Sequence, residues 1–429
     1  MYRAVFSNRL LRPYLFGASA SAVGDAAALL GFLLVVYQTT GSAAQVTGIA
    51  LAEAVPYLVF GLVGGAITDR LPRFPVIVGI DALRAALQCG TCLLVATGHA
   101  PYAVLVVVVA LLQLGGCFVN PARRALLPEL TSAELLPAAN AVLATATTGA
   151  ALVAPLAAAA LITTAGPAVF FALDAASYLA SAASAAVLAR RWRQQPEGSR
   201  APKPVADRAE TALRFRGTVR RMAVDMRAFW SMIRGHRELR TLLIGTALVV
   251  LATTWARQIG LLLVAAPEDS SGQLYSLLTA VVAAAGLVAG LVLPPLVRRP
   301  EMLTYSLGAL IWGVGIGVCV LPWGPAALFV GAGAQGVGFA VTNAARSYVL
   351  QTQLASTDRG QGFAAAATAL YLADVASIAL FGVLTVLAGT GTLMLVAAFA
   401  TSAAAVLTWA ATRPRRAGGV PAELSQPTA

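Results

Sequence analysis

The chain has 429 residues, of which 59% are hydrophobic and 11% are charged, and its formal net charge is +12. A soluble protein of this size would carry about 25% charged residues, so the composition excludes that class. The apolar residues form runs of about 20, the length that crosses ~30 Å of hydrocarbon. The sequence therefore predicts an all-α integral membrane protein. The first run lacks a small-residue cleavage site and is expected to be a span.

Apolar runs separated by helix-breaking residues predict twelve transmembrane helices. Their expected ranges, in chain order, are 13–37, 45–68, 76–97, 101–119, 135–163, 167–189, 241–266, 272–297, 302–321, 325–345, 361–388 and 391–411.

The long polar gap between the sixth and seventh spans divides the chain. We expect an N-terminal six-helix bundle at 1–190, a basic linker at 191–240, a C-terminal six-helix bundle at 241–412 and a tail at 413–429. Within the linker, residues 209–239 carry an apolar stripe among arginines. This pattern favours a helix in the membrane interface, and a solvated basic helix is the alternative.

Basic residues are confined to alternate gaps. The N-terminal segment, the gaps after even-numbered spans and the tail contain Lys and Arg, whereas the gaps after odd-numbered spans contain none. By the positive-inside rule the basic side is cytoplasmic, and both termini are expected there. The net charge then reports topology and attraction to anionic lipid, and no nucleic-acid partner is expected. Two basic residues, Arg84 and Arg257, fall within spans.

Two short motifs recur in the second half of the chain. The stretch Gly61-Leu-Val-Gly-Gly65 returns as Gly286-Leu-Val-Ala-Gly290, and Asn120-Pro-Ala-Arg123 returns as Asn343-Ala-Ala-Arg346. Each copy follows the equivalent span of its own half. Repeated halves that enclose a site at the membrane midplane are typical of alternating-access transporters.

The stretch between the second and third spans, GAITDRLPRF, resembles the cytoplasmic loop motif of the major facilitator superfamily, G-x-x-x-D-R-x-G-R-R/K. The matching residues are Gly65, Asp69, Arg70 and Arg73, and Asp81 and Arg84 resemble the acid and base that follow it. Pro72 and Phe74 replace the second glycine and second basic residue of the motif.

Three other stretches resemble the drug–proton antiporter branch of that superfamily, which contains macrolide and enterobactin-type exporters. They read AVGDAAALLGFLLVVYQTTGSA, NPARRALLPEL and FALDAASYLASA. The fifth span departs from the branch, because Ala154 replaces the glycine of its Gly-Pro motif.

The resemblance implies two pseudo-symmetric six-helix bundles and a monomeric, multi-pass transporter of the plasma membrane. It implies export of a small amphipathic organic molecule, such as a drug or secondary metabolite, coupled to protons. An importer of a nutrient or metabolite is the alternative. The motif charges are expected to form a cytoplasmic latch that favours the outward-facing state; in the alternative they form a static loop that only sets topology.

Ionisable residues within spans are costly and usually functional. The coupling and outer-gate candidates are Asp25, Glu53, Arg257 and Asp374, and Asp174 is a weaker one. Asp25 lies near the midplane of the first span, and a Glu53–Arg257 pair would close the outer side. In the alternatives, Arg257 pairs with Asp25 or extends to water without a partner. Each acid has the alternative of a structural role satisfied by a neighbour. Cavity candidates are Tyr37, Gln113, Trp255, Gln258 and Gln335.

An integral-membrane enzyme is the rival class. The two histidines, His99 and His236, both lie in gaps between spans, which argues against haem, copper and di-iron centres. The sequence contains no P-loop motif. We therefore expect a transporter without a cofactor or bound metal.

The charge partition predicts which side each gap faces. Single cysteines at His99 and Val205 should be labelled by a membrane-impermeant maleimide from opposite sides, position 99 from outside and position 205 from inside. Labelling of position 205 in intact cells would contradict this topology.

Overall fold

A computed structural model of the chain describes residues 2–68, 71–132, 134–194, 237–269, 271–292, 301–354 and 359–412. Twelve helices within these ranges are long and apolar enough to cross a membrane. They are α1 (Leu11–Thr40), α2 (Ala43–Thr68), α3 (Arg73–Ala96), α4 (Tyr102–Leu126), α5 (Leu136–Ala165), α6 (Ala168–Arg193), α7 (Arg237–Ala265), α8 (Gln273–Val292), α9 (Glu301–Val318), α10 (Pro325–Gln353), α11 (Arg359–Ala388) and α12 (Thr390–Thr412). A short helix, Tyr2–Ser7, precedes α1.

The prediction of an all-α protein with twelve spans is confirmed. Several helices are longer than their apolar runs: α4 continues to Leu126 and α10 to Gln353. Hydropathy identifies only the part of a helix that lies in the hydrocarbon core, so it does not predict the polar ends of a helix that extend beyond the core. The interfacial helix expected at 209–239 falls almost wholly outside the described residues, as do Asp69, Arg70 and the tail.

The two halves of the bundle repeat one packing pattern. In the first half, α1 packs on α5 and α6, α2 on α4, and α3 on α4 and α6. In the second half, α7 packs on α11 and α12, α8 on α10, and α9 on α10 and α12. The halves contact each other through α2–α11 and α5–α8. If each helix is matched with the one six places along the chain, α2 corresponds to α8 and α5 to α11, so the two contacts are equivalent. The architecture is a pair of six-helix bundles related by a pseudo-twofold axis.

The two halves contact each other near one face of the bundle, opposite the face where α1 begins and α12 ends. We call the face where α1 begins and α12 ends the terminal face, and the other one the distal face. Near the distal face, Gln273 Nε2 of α8 donates to the Ala159 carbonyl of α5 at 3.2 Å. Gly382 of α11 approaches Thr47 of α2 so closely that an added Cβ would lie 2.1 Å from the Thr47 methyl. The distal face is therefore closed between the halves.

Toward the terminal face, α5 and α8 diverge. A cavity of about 480 Å³ lies between them, lined by Thr148 of α5 and by α8 residues as far as Leu291. Residues Thr147, Thr148 and Val288 are exposed. The two halves are therefore separated by a cavity on the terminal side of their distal contacts.

Glycine brings α8 and α10 together. A Cβ added at Gly336 would lie 2.2 Å from the Val282 carbonyl oxygen of α8, a distance at which backbone would have to move. Small residues at crossings are the usual way in which membrane helices approach closely. Gly336 is thus a position that no larger residue can fill without displacing α8.

We expect Gly336→Ala to destabilise the protein, because overpacking of this kind typically costs about 1–3 kcal/mol. Gly333→Ala is the matched control on the same helix, since its Cβ would meet only Val281 Cγ1, at 3.9 Å. Both changes gain the same helix propensity, about 1 kcal/mol. Thermal unfolding in detergent should give a lower Tm for Gly336→Ala than for Gly333→Ala, and equal values would contradict the crossing.

Candidate functional site

A group of polar side chains lies inside the N-terminal half, where α1, α3, α4 and α6 meet. We call it the acid–base cluster. Its members are Asp25, Asp81, Arg84, Gln88, Arg123, Asp174, Tyr178 and Ser181.

Asp81 of α3 is the centre of the cluster. Its side chain is fully buried and accepts hydrogen bonds from Arg123 at 2.8 Å and from Ser181 Oγ at 2.6 Å. Arg84, one helical turn further along α3, lies 3.8 Å from the other carboxylate oxygen. These contacts join α3 to α4 and α6 through one carboxylate.

Arg84 is held on several sides at once. Its guanidinium carbon lies 4.3 Å from the centre of the Tyr178 ring, and its Nε donates to the Leu112 carbonyl at 3.0 Å. Gly115 and Gly116 of α4 make room for it, since a Cβ at 115 would lie 3.1 Å from Arg84 Cδ. Arg84 is therefore a buried, fixed cation.

Asp25 of α1 lies at the open edge of the cluster. One carboxylate oxygen accepts a hydrogen bond from the Tyr178 hydroxyl and lies 3.6 Å from the Arg84 guanidinium. The Asp25 side chain is nevertheless 44% exposed, whereas the Asp81 side chain is 0% exposed. In this conformation Asp25 is the cluster acid that a proton or a ligand can reach.

Asp174 of α6 is buried and is satisfied by its neighbours. Gln88 Nε2 donates to it at 2.6 Å and Ser177 Oγ at 3.0 Å. Gly24 of α1 leaves the space for this group, because a Cβ there would lie 2.4 Å from an Asp174 oxygen. The geometry agrees with the structural alternative for Asp174.

The C-terminal half carries different side chains at the equivalent place. The offset of 225 that aligns Gly61 with Gly286 sets Ser306 and Ala309 against Asp81 and Arg84. In α11, Asp374 accepts a hydrogen bond from Thr254 of α7. The packing is symmetric, but the described charges are not.

The loop motif is only partly visible. Asp69 and Arg70 lie outside the described residues, and Gly65 is half-buried near the end of α2. Arg73 forms an ion pair with Glu129 and donates to the Ala125 carbonyl at 3.1 Å. Glu129, which the sequence analysis did not select, therefore holds the start of α3 against the end of α4. The latch itself stays a prediction.

The cavity candidates occupy several environments. Tyr37 lines a cavity of about 320 Å³ near the distal face, together with Gln38, Asp269 and Tyr275. Gln113 is half-buried on α4.

The other three cavity candidates belong to α7 and α10. Trp255 is fully buried and stacks on Phe381, with ring centres 5.8 Å apart. Gln335 is fully buried and donates to Cys319 Sγ at 3.4 Å. Gln258 is half-buried, and its carbonyl accepts a hydrogen bond from Tyr275 at 3.1 Å.

Asp269 caps the start of α8. Burial raises the pKa of Asp269, but hydrogen bonds from the Ser271 hydroxyl and from the backbone of Leu274, Ser271 and Gln273 outweigh it, so the pKa lies below its ordinary value. The Leu274 N–H donates at 2.7 Å. The carboxylate is thus an N-terminal helix cap at the distal face.

The proposed outer pair is open in this conformation. Glu53 is half-buried on α2 and within electrostatic range of Asp25 and Arg257. None of the four ion pairs within the described residues includes Glu53 or Arg257. The Glu53–Arg257 gate stays a prediction for another conformation.

Arg123 was not selected as a candidate residue, because it lies in a gap whose arginines served only to assign topology. Its alignment with Arg346 in the internal repeat was the available signal. No sequence signal marked Gln88 and Tyr178 as members of the cluster, because a Gln or Tyr within a span can have many structural roles.

The contact between Arg123 and Asp81 predicts a difference between neighbouring arginines. Arg123→Gln leaves the buried Asp81 without its closest cation, and loss of one partner from a buried pair costs about 3–5 kcal/mol. Arg124→Gln removes the same charge from an exposed side chain. We expect Arg123→Gln to lower the Tm in detergent and Arg124→Gln to leave it unchanged. Equal Tm values in the two variants would contradict the role of Arg123.

Comparison with known proteins agrees with this architecture. Residues 15–301, more than half of the chain, match the family model described as Major Facilitator Superfamily. Over 119 residues the chain is 36% identical to the multidrug efflux pump Tap of Mycobacterium tuberculosis and of Mycobacterium bovis. The match covers 27% of this chain and 28% of the Tap sequence, less than a third of either.

Solved structures share the fold across nearly the whole chain. A bacterial homologue of the iron transporter ferroportin, in its inward-facing state, has a TM-score of 0.70 at 16% identity and covers 94% of this chain and 97% of that one. Its outward-facing state has a TM-score of 0.55 at the same identity, covering 93% and 97%. The nucleoside transporter NupG has a TM-score of 0.65 at 12% identity, covering 95% and 100%. The chain belongs to the major facilitator superfamily and is a multi-pass membrane protein.

Proposed function

We propose that this transporter exports a small amphipathic organic molecule across the plasma membrane in exchange for protons. The observation that carries the proposal is the position of Asp25, an exposed carboxylate that lies against the buried Arg84 and Tyr178. An acid with this combination of access and a fixed cationic partner can couple its protonation to the arrangement of the helices around it.

The proton step follows from the partners of Arg84. Ionised Asp25 attracts Arg84 and accepts the Tyr178 hydroxyl proton in a hydrogen bond. Protonation removes the negative charge and weakens that attraction. Arg84 then keeps Asp81, 3.8 Å away, so α1 can separate from α3 without leaving the guanidinium unpaired.

The contacts between the halves supply the second requirement, alternating access. In the described conformation they close the distal face and leave the terminal face open. We assign the terminal face to the cytoplasm, because all Lys and Arg of the gaps lie on that side. The described conformation is then inward-open, and the two termini are cytoplasmic. Rocking of the halves would open the distal, external face.

The loop motif would stabilise the opposite state. We propose that Asp69 and Arg70 latch the cytoplasmic mouth when the halves close there, with Arg73 held in position by Glu129. The Glu53–Arg257 pair would close the outer side in turn.

Two findings support an organic substrate. The cavity between α5 and α8 is lined mainly by apolar side chains, and Tap, which matches part of the chain, is a multidrug efflux pump. An importer of a nutrient or metabolite is the alternative, because NupG shares the fold and is a nucleoside transporter. Accumulation of a toxic compound in a deletion strain favours export, whereas failure to grow on a nutrient favours import.

Asp25→Asn tests proton coupling. The compound is first selected in inverted vesicles from a panel of neutral, cationic and anionic amphiphiles. In proteoliposomes, transport of that compound driven by a pH gradient should be abolished in Asp25→Asn, because the amide cannot release a proton. Downhill exchange should continue. Glu268→Gln, in an exposed loop, is the matched control and should couple normally. Normal uphill transport by Asp25→Asn would contradict the proposal.

A further inference from the structure

The cavity between α5 and α8 contains one charge among its described lining residues. Its volume is about 480 Å³, and its walls include Val282, Ala283 and Leu287 of α8 and Phe339 of α10. The charged residue is Arg257 of α7. A cation in an otherwise apolar cavity is an arrangement that needs a physical explanation.

Arg257 lies on a widened turn of α7. Residues Ala256–Gly260 form a π-helical turn between two α-helical segments. Two side chains stabilise it: Ser377 Oγ accepts a hydrogen bond from the Trp255 N–H at 3.0 Å, and Tyr275 donates to the Gln258 carbonyl at 3.1 Å. Such turns are rare and frequently lie at functional sites.

The Arg257 guanidinium forms no ion pair or hydrogen bond within the described part of the chain, although Glu53 and Tyr275 lie within electrostatic range of it. It takes part in none of the four ion pairs there and donates none of the hydrogen bonds. Arg73, Arg84 and Arg123, by contrast, each have a carboxylate partner. An arginine without an ion pair within a span is costly, so an anion bound at Arg257 would lower that cost.

The cavity has the shape for a long molecule. Arg257 and Thr279 lie at similar depth, since α7 ends at Ala265 and α8 begins at Gln273. From Thr279 the lining continues along α8 to Leu291, a distance of about 18 Å at 1.5 Å per residue. Arg257 therefore lies at the end of the cavity that is farther from the terminal face, and the apolar walls extend from Arg257 toward the terminal face.

We propose that this cavity binds an amphipathic organic anion, with its carboxylate, sulfonate or phosphate head on Arg257 and its apolar body along α8. The planar guanidinium matches such a head by paired, charge-assisted hydrogen bonds. The inference rests on the proposed function and names its substrate class. The bound anion is the transported solute, and Arg257 is the residue that selects its charge.

The test is a binding measurement on the full chain in phosphatidylcholine nanodiscs. The probe is 9-anthroate, an apolar ring system with one carboxylate, followed by energy transfer from tryptophan. The neutral match is 9-anthracenemethanol. Wild type should bind 9-anthroate at least about tenfold more tightly than the alcohol, a factor that corresponds to ~1.4 kcal/mol.

Arg257→Gln should remove this preference by weakening 9-anthroate about tenfold while leaving the alcohol unchanged. Arg257→Lys, which keeps the charge, should restore part of it. Arg346→Gln is the matched control, because Arg346 is also half-buried in the C-terminal half but bonds to Asn343 and does not line this cavity. Ala283→Trp, which fills the cavity, should weaken both probes.

An equal affinity of wild type for the two probes, or an unchanged preference in Arg257→Gln, would overturn the inference. A second arm separates solute from lipid. If added phosphatidylglycerol abolishes the Arg257-dependent preference, the site binds an anionic lipid and the substrate assignment is overturned. Because the assay reads binding, failure of proton-driven export would leave its result intact, and the two proposals can fail separately.

Discussion

Carboxylates buried within the N-terminal half require partners, and this requirement ties α3, α4 and α6 together. Asp81 accepts hydrogen bonds from Arg123 and Ser181 and forms an ion pair with Arg84. Asp174 accepts hydrogen bonds from Gln88 and Ser177. Leaving a buried charge unpaired costs several kcal/mol, so these contacts hold α3, α4 and α6 together, whereas the α1 acid of the cluster, Asp25, is 44% exposed. In our proposal, Asp25, which lies at the edge of this group of contacts, is the acid whose partner changes.

The second half repeats the helix packing without repeating the chemistry. Its α9 has Ser306 and Ala309 where α3 has Asp81 and Arg84, and the charged residue that lines its cavity with α5 is Arg257. In our proposals the proton belongs to the first half and the organic anion to the second. Among the described helix pairs with extensive packing, only α2–α11 and α5–α8 join the two halves. A change at either site can therefore bias the same rocking motion.

The sequence predicts the spans and the Asp81–Arg84 face well, because hydrocarbon thickness and helical periodicity are local constraints. It cannot distinguish Arg123 from Arg124, since adjacent arginines share one local pattern and only the partner on α3 differs. It also interprets Trp255 as a cavity residue, whereas packing against Phe381 buries it. Spans that are apolar on every side do not reveal which face is interior, and a π-helical turn leaves no periodic signal.

Proton release on substrate binding tests the central claim most directly. The purified transporter is placed in weakly buffered detergent solution with a pH-sensitive dye, at a series of pH values, and a transported compound is added. If Asp25 exchanges its proton for substrate, wild type should release protons in proportion to the compound bound, and Asp25→Asn should bind without that release. Equal release by the two proteins, or binding by wild type without release at any pH, would contradict the account.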